Sequence, residues 1–366
     1  MMTVAEEVPT LKPQTAPANN WEKEQDQLGS HSNLLGKIGT DYNFKRQIVW
    51  KNAIGFLVLH LIGFYGIYCC LKCHIATVAW MVIVGLMSAE GVTFGAHRLY
   101  SHKCFKATFS LRLILILLQT VAGQNCLYIW ARDHRQHHKF SDTDADPHNA
   151  SRGFFFSHIG WLMSKKHPAV IEKGKTIDMS DLEADPLVMF QKKYYKPLYV
   201  IFAIVLPVIV PVYAWNETYY YSFLVSYMAR YIIVLNATWS VNSIAHLFGT
   251  KPFDKFILPV ESTFVAFISV GEGWHNYHHT FPWDYRAAEL GSNFMLTTFL
   301  IDLCSYFGLT YDLKTASFKM VEKRLFRTGD GTHPRSLRRE KIRWLNGQKE
   351  NDADSDDRQK VVDDKS

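Results

Sequence analysis

"SLRLILILLQTVAGQNCLYIW", residues 110–130, decides how this chain folds. Its apolar centre, Leu111 to Val121, falls well short of the roughly 20 residues that span a bilayer, and it opens with Arg112. The pattern predicts a helix over about 107–125 that lies in the membrane interface or re-enters it. Histidines flank it, His97 and His102 before and His134, His137 and His138 after. If the stretch crossed, these two groups would face opposite sides of the bilayer and could share no site; an interfacial helix keeps them together.

Working outward, four stretches read as membrane spans. Residues 53–71 and 75–96 are separated only by Lys72, Cys73 and His74, and residues 199–215 and 219–245 are separated by "NET". Two short turns make two helical hairpins. Pro207 and Pro211 lie inside the third span, where neighbouring helices can satisfy the backbone groups they leave free. Lys37, Lys45, Arg46 and Lys51 precede the first hairpin and Lys192, Lys193 and Lys196 the second, whereas the turns together hold a single lysine. The positive-inside rule then makes both termini and the central region cytosolic. The even number of crossings brings the later histidines, His246, His275, His278 and His279, to that same side.

The remaining segments are plainer. Residues 1–40 are polar and read as a disordered cytosolic arm without the basic-then-apolar order of a cleaved signal peptide. Residues 318–366 form a basic, then acidic, cytosolic tail. The six cysteines lie in or beside apolar segments without metal-type spacing and are expected to be reduced. With 48% hydrophobic residues gathered into spans and no recognisable nucleic-acid fold, nucleic acid is excluded as a partner despite the +6 charge; membrane lipid is the expected surroundings.

Of the sixteen histidines, nine fall into "HRLYSH", "HRQHH", "NSIAHLFG" and "HNYHH". On a helix, residues i, i+3 and i+4 share a face, so each HxxHH is expected to aim three imidazoles at one point. His97 and His102, about 140° apart on an ideal helix, are expected to reach two neighbouring metals rather than chelate one. Nine nitrogens exceed what one ion uses, which makes two metals the economical reading. There is no HExxH, so zinc-peptidase hydrolysis loses ground. His60, His74, His158, His167 and His333 are left unassigned, and His148 is expected to hold its loop.

The stretches "GAHRLYSH", "WARDHRQHHKFSDTDADPHN", "RGFFFSHIGWLM", "NSIAHLFGTKPFD" and "VGEGWHNYHHTFPWDY", in that order between about Asn52 and Asp312, resemble the membrane-bound acyl-CoA desaturases of the stearoyl-CoA desaturase family. The resemblance implies an all-α integral membrane protein. Four transmembrane helices in two hairpins would carry a cytosolic helical cap (97–198 and 246–317), the whole desaturase domain covering 41–317. It implies two Fe2+ ions held by His97, His102, His134, His137, His138, His246, His275, His278 and His279, with Asn242 contributing through water. It further implies a fatty acyl-CoA substrate, O2 as oxidant, electrons from cytochrome b5 and NADH-cytochrome b5 reductase, and the endoplasmic reticulum membrane. By the same resemblance Asn52, Asn125, Arg132, Asp133, Lys165 and Lys166 would hold the CoA head group, Lys165 standing where the family has arginine. Gln124, Trp130, Thr238 and Trp239 would line the acyl tunnel at its kink.

Glu90 departs from the family, which has an apolar residue there; it either bonds a neighbour inside the bundle or shapes the closed end of the tunnel. "LPVE", Leu258 to Glu261, resembles the signature by which moth pheromone-gland desaturases are sorted, in its Δ11 form, which makes Glu261 a second candidate for regioselectivity. Δ11 is expected over Δ9. The alternatives are a diiron membrane hydroxylase and a histidine-rich metal transporter, the latter requiring ligands near mid-membrane rather than beyond the span ends.

Overall fold

The computed structural model describes residues 38–342, of which 40–342 belong to one compact, almost wholly helical unit. Helix α1 (Trp50–Cys69) turns back through residues 70–74 into α2 (Ile75–Ser101). Helices α3 (Phe109–Ala122) and α4 (Leu127–Lys139) follow, then the long α5 (Pro186–Trp215). The abutting segments Tyr219–Ser222, Phe223–Ala229 and Arg230–Leu247 make α6. Of the shorter helices, three matter for the site: α7 (His275–Thr280), α8 (Leu296–Tyr306) and α9 (Phe318–Thr328). A two-residue antiparallel pairing, Lys106–Ala107 with Thr310–Tyr311, links the region before α3 to the end of α8.

By length and composition, α1, α2 and α5 can cross a membrane. These are three of the four expected spans. The fourth, α6, is an unbroken rod of sufficient length but carries Arg230, Asn236, Thr238, Asn242, Ser243 and His246. It tolerates them because its most polar positions turn inward: Arg230, Ser240, Ser243 and His246 are buried. The expected interfacial helix is α3, and it passes for a span only if joined to α4, to which it is bent by 84°. Gly123 makes that bend, since at φ 69° it ends α3 in a left-handed conformation open to glycine without strain. Where α3 crosses α2 the backbones touch: a Cβ on Gly91 would sit 2.2 Å from the Gln119 nitrogen, so no other residue fits.

The prolines of α5 reveal how the bundle is tied. Pro207 has no N–H, so the carbonyl four residues earlier, on Ala203, loses its donor, and Arg230 Nη2 from α6 fills the vacancy at 3.0 Å. Pro211 frees the carbonyl of Pro207 in the same way, and Trp80 Nε1 from α2 takes it at 2.9 Å. Arg230 also donates to the Val121 carbonyl at the end of α3 (3.1 Å) and to Ser226 (3.0 Å), so one buried guanidinium braces α3, α5 and α6. At the other end of the bundle, the Glu217 carboxylate accepts from His74 N (2.9 Å) and Thr77 Oγ1 (2.7 Å), bringing the two hairpin turns together. Two adjacent turns put the opposite helix ends on one common side.

Helix α9 lies at the start of the expected C-terminal tail, and its Val321 and Leu325 are buried in a cluster with Phe253, Tyr277 and Phe281. Its polar face is tied down too: Arg324 pairs with Asp254. The expected N-terminal arm and the acidic end of the tail lie outside the described residues, apart from 38–40. All six cysteines are free.

Arg230→Met should cost on the order of 3 kcal/mol, because it strands buried carbonyls. With Pro207→Ala added, the new N–H can serve Ala203, so the double variant should lose less than the sum. Thermal unfolding of the detergent-solubilised variants measures both; strict additivity would show that the brace does not exist.

Candidate dimetal site and apolar cavity

The nine histidines converge from four elements, the end of α2, α4, the end of α6 and α7, but not in the grouping their spacing suggests. Nε2 atoms of His97, His102, His134, His138 and His278 form one group; those of His137, His246, His275 and His279 form a second. Each HxxHH is therefore split. Its first and last histidines, a turn apart, serve one group, and the middle one serves the other. The reason is that i+3 and i+4 are themselves about 100° apart around a helix, enough to aim adjacent imidazoles at two centres. The two boxes do this in opposite senses, α4 giving His134 and His138 to the first group and α7 giving His275 and His279 to the second.

His97 and His102 also differ from expectation, since both join the first group. From Gly91 to Ser101 the end of α2 is wound as a π-helix, and His102 N bonds the His97 carbonyl at 3.1 Å. Closure at i→i+5 brings residues five apart nearly above one another, where an α-helix would have separated them.

Nitrogen separations fit metal ligation. In the first group, Nε2 atoms lie 2.9 Å apart for His97 and His278, 2.8 Å for His102 and His134 and 3.0 Å for His278 and His138. In the second they lie 3.1 Å apart for His275 and His246, 3.1 Å for His279 and His275 and 3.3 Å for His137 and His279. Two nitrogens bound at about 2.1 Å and at right angles on one metal are about 3 Å apart. Burial, and then the neighbouring imidazoles, hold His102, His134, His138, His275, His278 and His279 well below the usual histidine range. They stay neutral, the form that ligates. Asn242 lies one turn before His246 and lines the adjoining cavity.

Carboxylates behind the rings fix their direction, and none of these was singled out from the sequence. Glu272 Oε2 accepts from His97 Nδ1 at 2.9 Å, Asp146 from His137 Nδ1 at 2.8 Å and Asp142 from His246 Nδ1 at 3.1 Å. Glu272 is itself held by Arg98 (2.7 Å). Burial opposes its ionisation, but Arg98 and His97 keep its carboxyl down at about 2. A signal was present: "SDTDADPH" follows one box after two residues, and Glu272 stands three residues before the other.

From this site an apolar cavity of about 240 Å³ runs down between α2 and α6. Its histidine end shows His97, His134, His137 and His275; its far end shows Met81, Gly85 and Arg230. Arg230 to Asn242 covers about 18 Å of helix, so the space is long and narrow. Trp130 and Thr238 line it, and Gln124 braces them, donating to Thr238 Oγ1 (2.8 Å) and accepting from Trp130 Nε1 (3.3 Å). Trp239 does not line it but packs on the opposite side of α6 against Phe56 and His158.

Neither regioselectivity candidate faces the cavity. Glu90 accepts from Thr297 Oγ1 (3.1 Å) and Thr93 Oγ1 (3.3 Å). Glu261 accepts from the Tyr277 N–H at 2.7 Å, capping α7, and burial pushes its carboxyl up to about 8.

Of the expected head-group residues, Arg132, Asp133 and Lys166 make one cluster. Asp133 binds Arg132 at 2.6 Å and Lys166 at 2.9 Å, and Arg132 and Lys166 also line a polar surface pocket of about 580 Å³. Lys165 is adjacent, its N–H on the Gln47 carbonyl (2.9 Å), and the Asn52 amide reaches the Leu162 carbonyl (2.9 Å). Asn125 stands apart at the α3–α4 bend, where its Oδ1 accepts from Cys126 N (3.0 Å).

The family model for fatty acid desaturases matches residues 73–289, the stretch holding all nine histidines. The chain is 55% identical over 294 residues to an acyl-CoA Delta-9 desaturase of Acheta domesticus, covering 79% of this chain and 81% of that one. This chain belongs to the fatty acid desaturase family. Other relatives in the family include the stearoyl-CoA desaturase of Sus scrofa, 54% identical over 289 residues (79% of this chain, 80% of the relative). The acyl-CoA Delta(11) desaturase of Trichoplusia ni is 50% identical over 290 residues, covering 79% and 83%.

Removing a carboxylate that orients a ligand ring typically costs 10–100-fold in metal affinity. Glu272→Ala should thus weaken metal retention at the His97 group and Asp142→Ala at the His246 group, each sparing the other group. Bound metal per chain after dialysis against graded chelators reads this out; equal loss from both groups in either variant would contradict two separable groups.

Proposed function

We propose that this chain is a membrane acyl-CoA desaturase that places a double bond at Δ11 of a saturated fatty acyl-CoA. The observation that carries the reaction class is the narrow apolar cavity ending on the two histidine groups. A methylene pair has no acidity near pH 7, so acid–base side chains cannot remove its hydrogens. Two irons bound by the nine histidines would supply the oxidising chemistry this needs. The electron balance requires O2 to become two waters, taking two electrons from the chain and two from a donor, here cytochrome b5 and its NADH-dependent reductase. The endoplasmic reticulum membrane with both termini cytosolic suits that donor.

The protein's own part is placement. Hydrogen bonds cannot tell one methylene from the next, so distance must, with the thioester end fixed and the chain laid along a closed wall. Arg132, Lys165 and Lys166 offer cations to CoA phosphates at the surface. Gln124, Trp130 and Thr238 fix the cavity wall beside the histidines. Gly85, Ala89 and Ala237 keep it open below them.

The Δ11 reading rests on the form of "LPVE" and on likeness to the Trichoplusia ni enzyme. A Δ9 reading has its own support in the Acheta domesticus relative. Because Glu261 caps α7 away from the cavity, the motif marks lineage rather than measuring the chain.

Expression in desaturase-deficient yeast, followed by gas chromatography of derivatised lipids, should yield monoenes with the bond at C11. A bond at C9 selects the second reading, and chains that gain one oxygen instead of losing two hydrogens would mark a hydroxylase. His275→Ala should abolish the product. Glu261→Gln, which keeps the acceptor for Tyr277, should leave the bond position unchanged; a shifted bond would return Glu261 to the tunnel.

A further inference from the structure

Helix α8 is built inside out for water. Its buried face carries Thr297 and Thr298, 0% and 6% exposed, beside Ile301. Its outward face carries Leu296, Phe299, Leu303 and Tyr306, at i, i+3, i+7 and i+10, with Phe299 62% and Tyr306 84% exposed. A helix on an aqueous surface shows the opposite arrangement. The inward threonines are engaged: Thr297 bonds Glu90 and Thr93 (3.0 Å), and Thr298 accepts from Arg98 Nη1 (3.0 Å) and donates to the Arg286 carbonyl (3.1 Å). Rotating the helix to hide its apolar stripe would break all of these. Asp302 borders the stripe, turned toward the Tyr285 hydroxyl (2.7 Å).

The stripe does not end with the helix. Toward its start it meets Phe294, whose ring lies 5.3 Å from that of Phe267, and Phe264 and Phe267 are both exposed on the short helix Thr263–Ile268. Beyond its end, Thr108 N bonds the Leu309 carbonyl at 2.9 Å, fastening α8 to the start of α3. There Phe109, Leu113 and Ile114 are exposed in turn. An apolar surface this wide on a folded chain marks a place where something other than water lies against it.

Depth identifies what that is. The Thr297 contacts fix α8 beside Glu90 and Thr93 of α2, a helix apolar enough to cross the membrane. Glu90 is only about 22 Å of helix from Ile75, less than the roughly 30 Å of hydrocarbon that such a helix traverses. The first turn of α8 therefore sits at bilayer level, and its stripe is as exposed as the apolar residues Leu57, Leu61 and Phe64 of the spanning helix α1.

We propose that α8 and the Thr263–Ile268 helix are immersed in the same leaflet as α3, so that these two helices form a monotopic membrane floor under the histidine site rather than part of a cap standing in water. The occupant of this surface is phospholipid acyl chain. The proposal does not depend on which bond the enzyme desaturates or on whether it desaturates at all.

The test uses the full-length protein in nanodiscs containing a phospholipid with a photoactivatable diazirine on its acyl chain, followed by peptide mass spectrometry. Adducts on Phe299, Leu303 and Tyr306 at a level comparable to Leu57 and Leu61 of α1 are expected. Hydroxyl radicals generated in the aqueous phase should leave Tyr306 unmodified in nanodiscs. Lipid adducts confined to α1, α2 and α5, with Tyr306 oxidised from water, would overturn the proposal. Protection from both probes together with cross-links from α8 to a second copy would overturn it as well, assigning the face to a dimer.

Discussion

Nine imidazoles gathered within a few ångströms cannot all carry protons, and each has two nitrogens of which only one can face inward. Everything else in the structure answers to that demand. Burial and mutual repulsion keep His102, His134, His138, His275, His278 and His279 neutral, and the carboxylates of Glu272, Asp146 and Asp142 accept hydrogen bonds from Nδ1 of His97, His137 and His246, so that Nε2 of each faces the centre. Arg98 then keeps Glu272 ionised in a place where a lone carboxylate would rather be neutral. A chain of single contacts thus runs from the histidine groups outward into the packing of α2 against α7 and α8.

Holding those elements in register requires the membrane helices to be rigid, and here the absence of water sets the terms. A carbonyl stranded in hydrocarbon is costly, so each proline in α5 is tolerable only with a donor from another helix. Arg230 and Trp80 provide it. The same contacts shape the cavity, since the stem of Arg230 lies at its far end while the guanidinium turns away to the carbonyls. Polarity along α6 is therefore structural on one side and site-forming on the other.

The C-terminal part of the unit acts from behind. Helix α9 packs Val321 and Leu325 onto Phe253, Tyr277 and Phe281, and Tyr277 lies in the middle of "HNYHH". Glu261 caps that helix by accepting from Tyr277 N–H. Residues that looked like a basic tail and a regiochemical signature thus both serve to hold one short ligand helix in place.

The sequence by itself determined the class of molecule. Apolar runs of near-spanning length, two tight turns, lysine asymmetry and four histidine clusters are local features, and local features survive in a linear string. It also told that residues 110–130 differ from the spans, since Arg112 and the length of the run are visible directly. What only the tertiary structure decided was direction. Whether His97 and His102 meet depends on a π-helical winding that a hydrophobic pattern does not encode. The sharing of each HxxHH between two groups depends on where the facing helix stands. Glu90 and Glu261 gained partners 207 and 16 residues away, and Trp239 turned its back on the cavity that its neighbour Thr238 lines. Spacing along a chain fixes angles around one helix axis, but a site is made where several axes cross, and their crossing is set by packing between residues far apart in sequence.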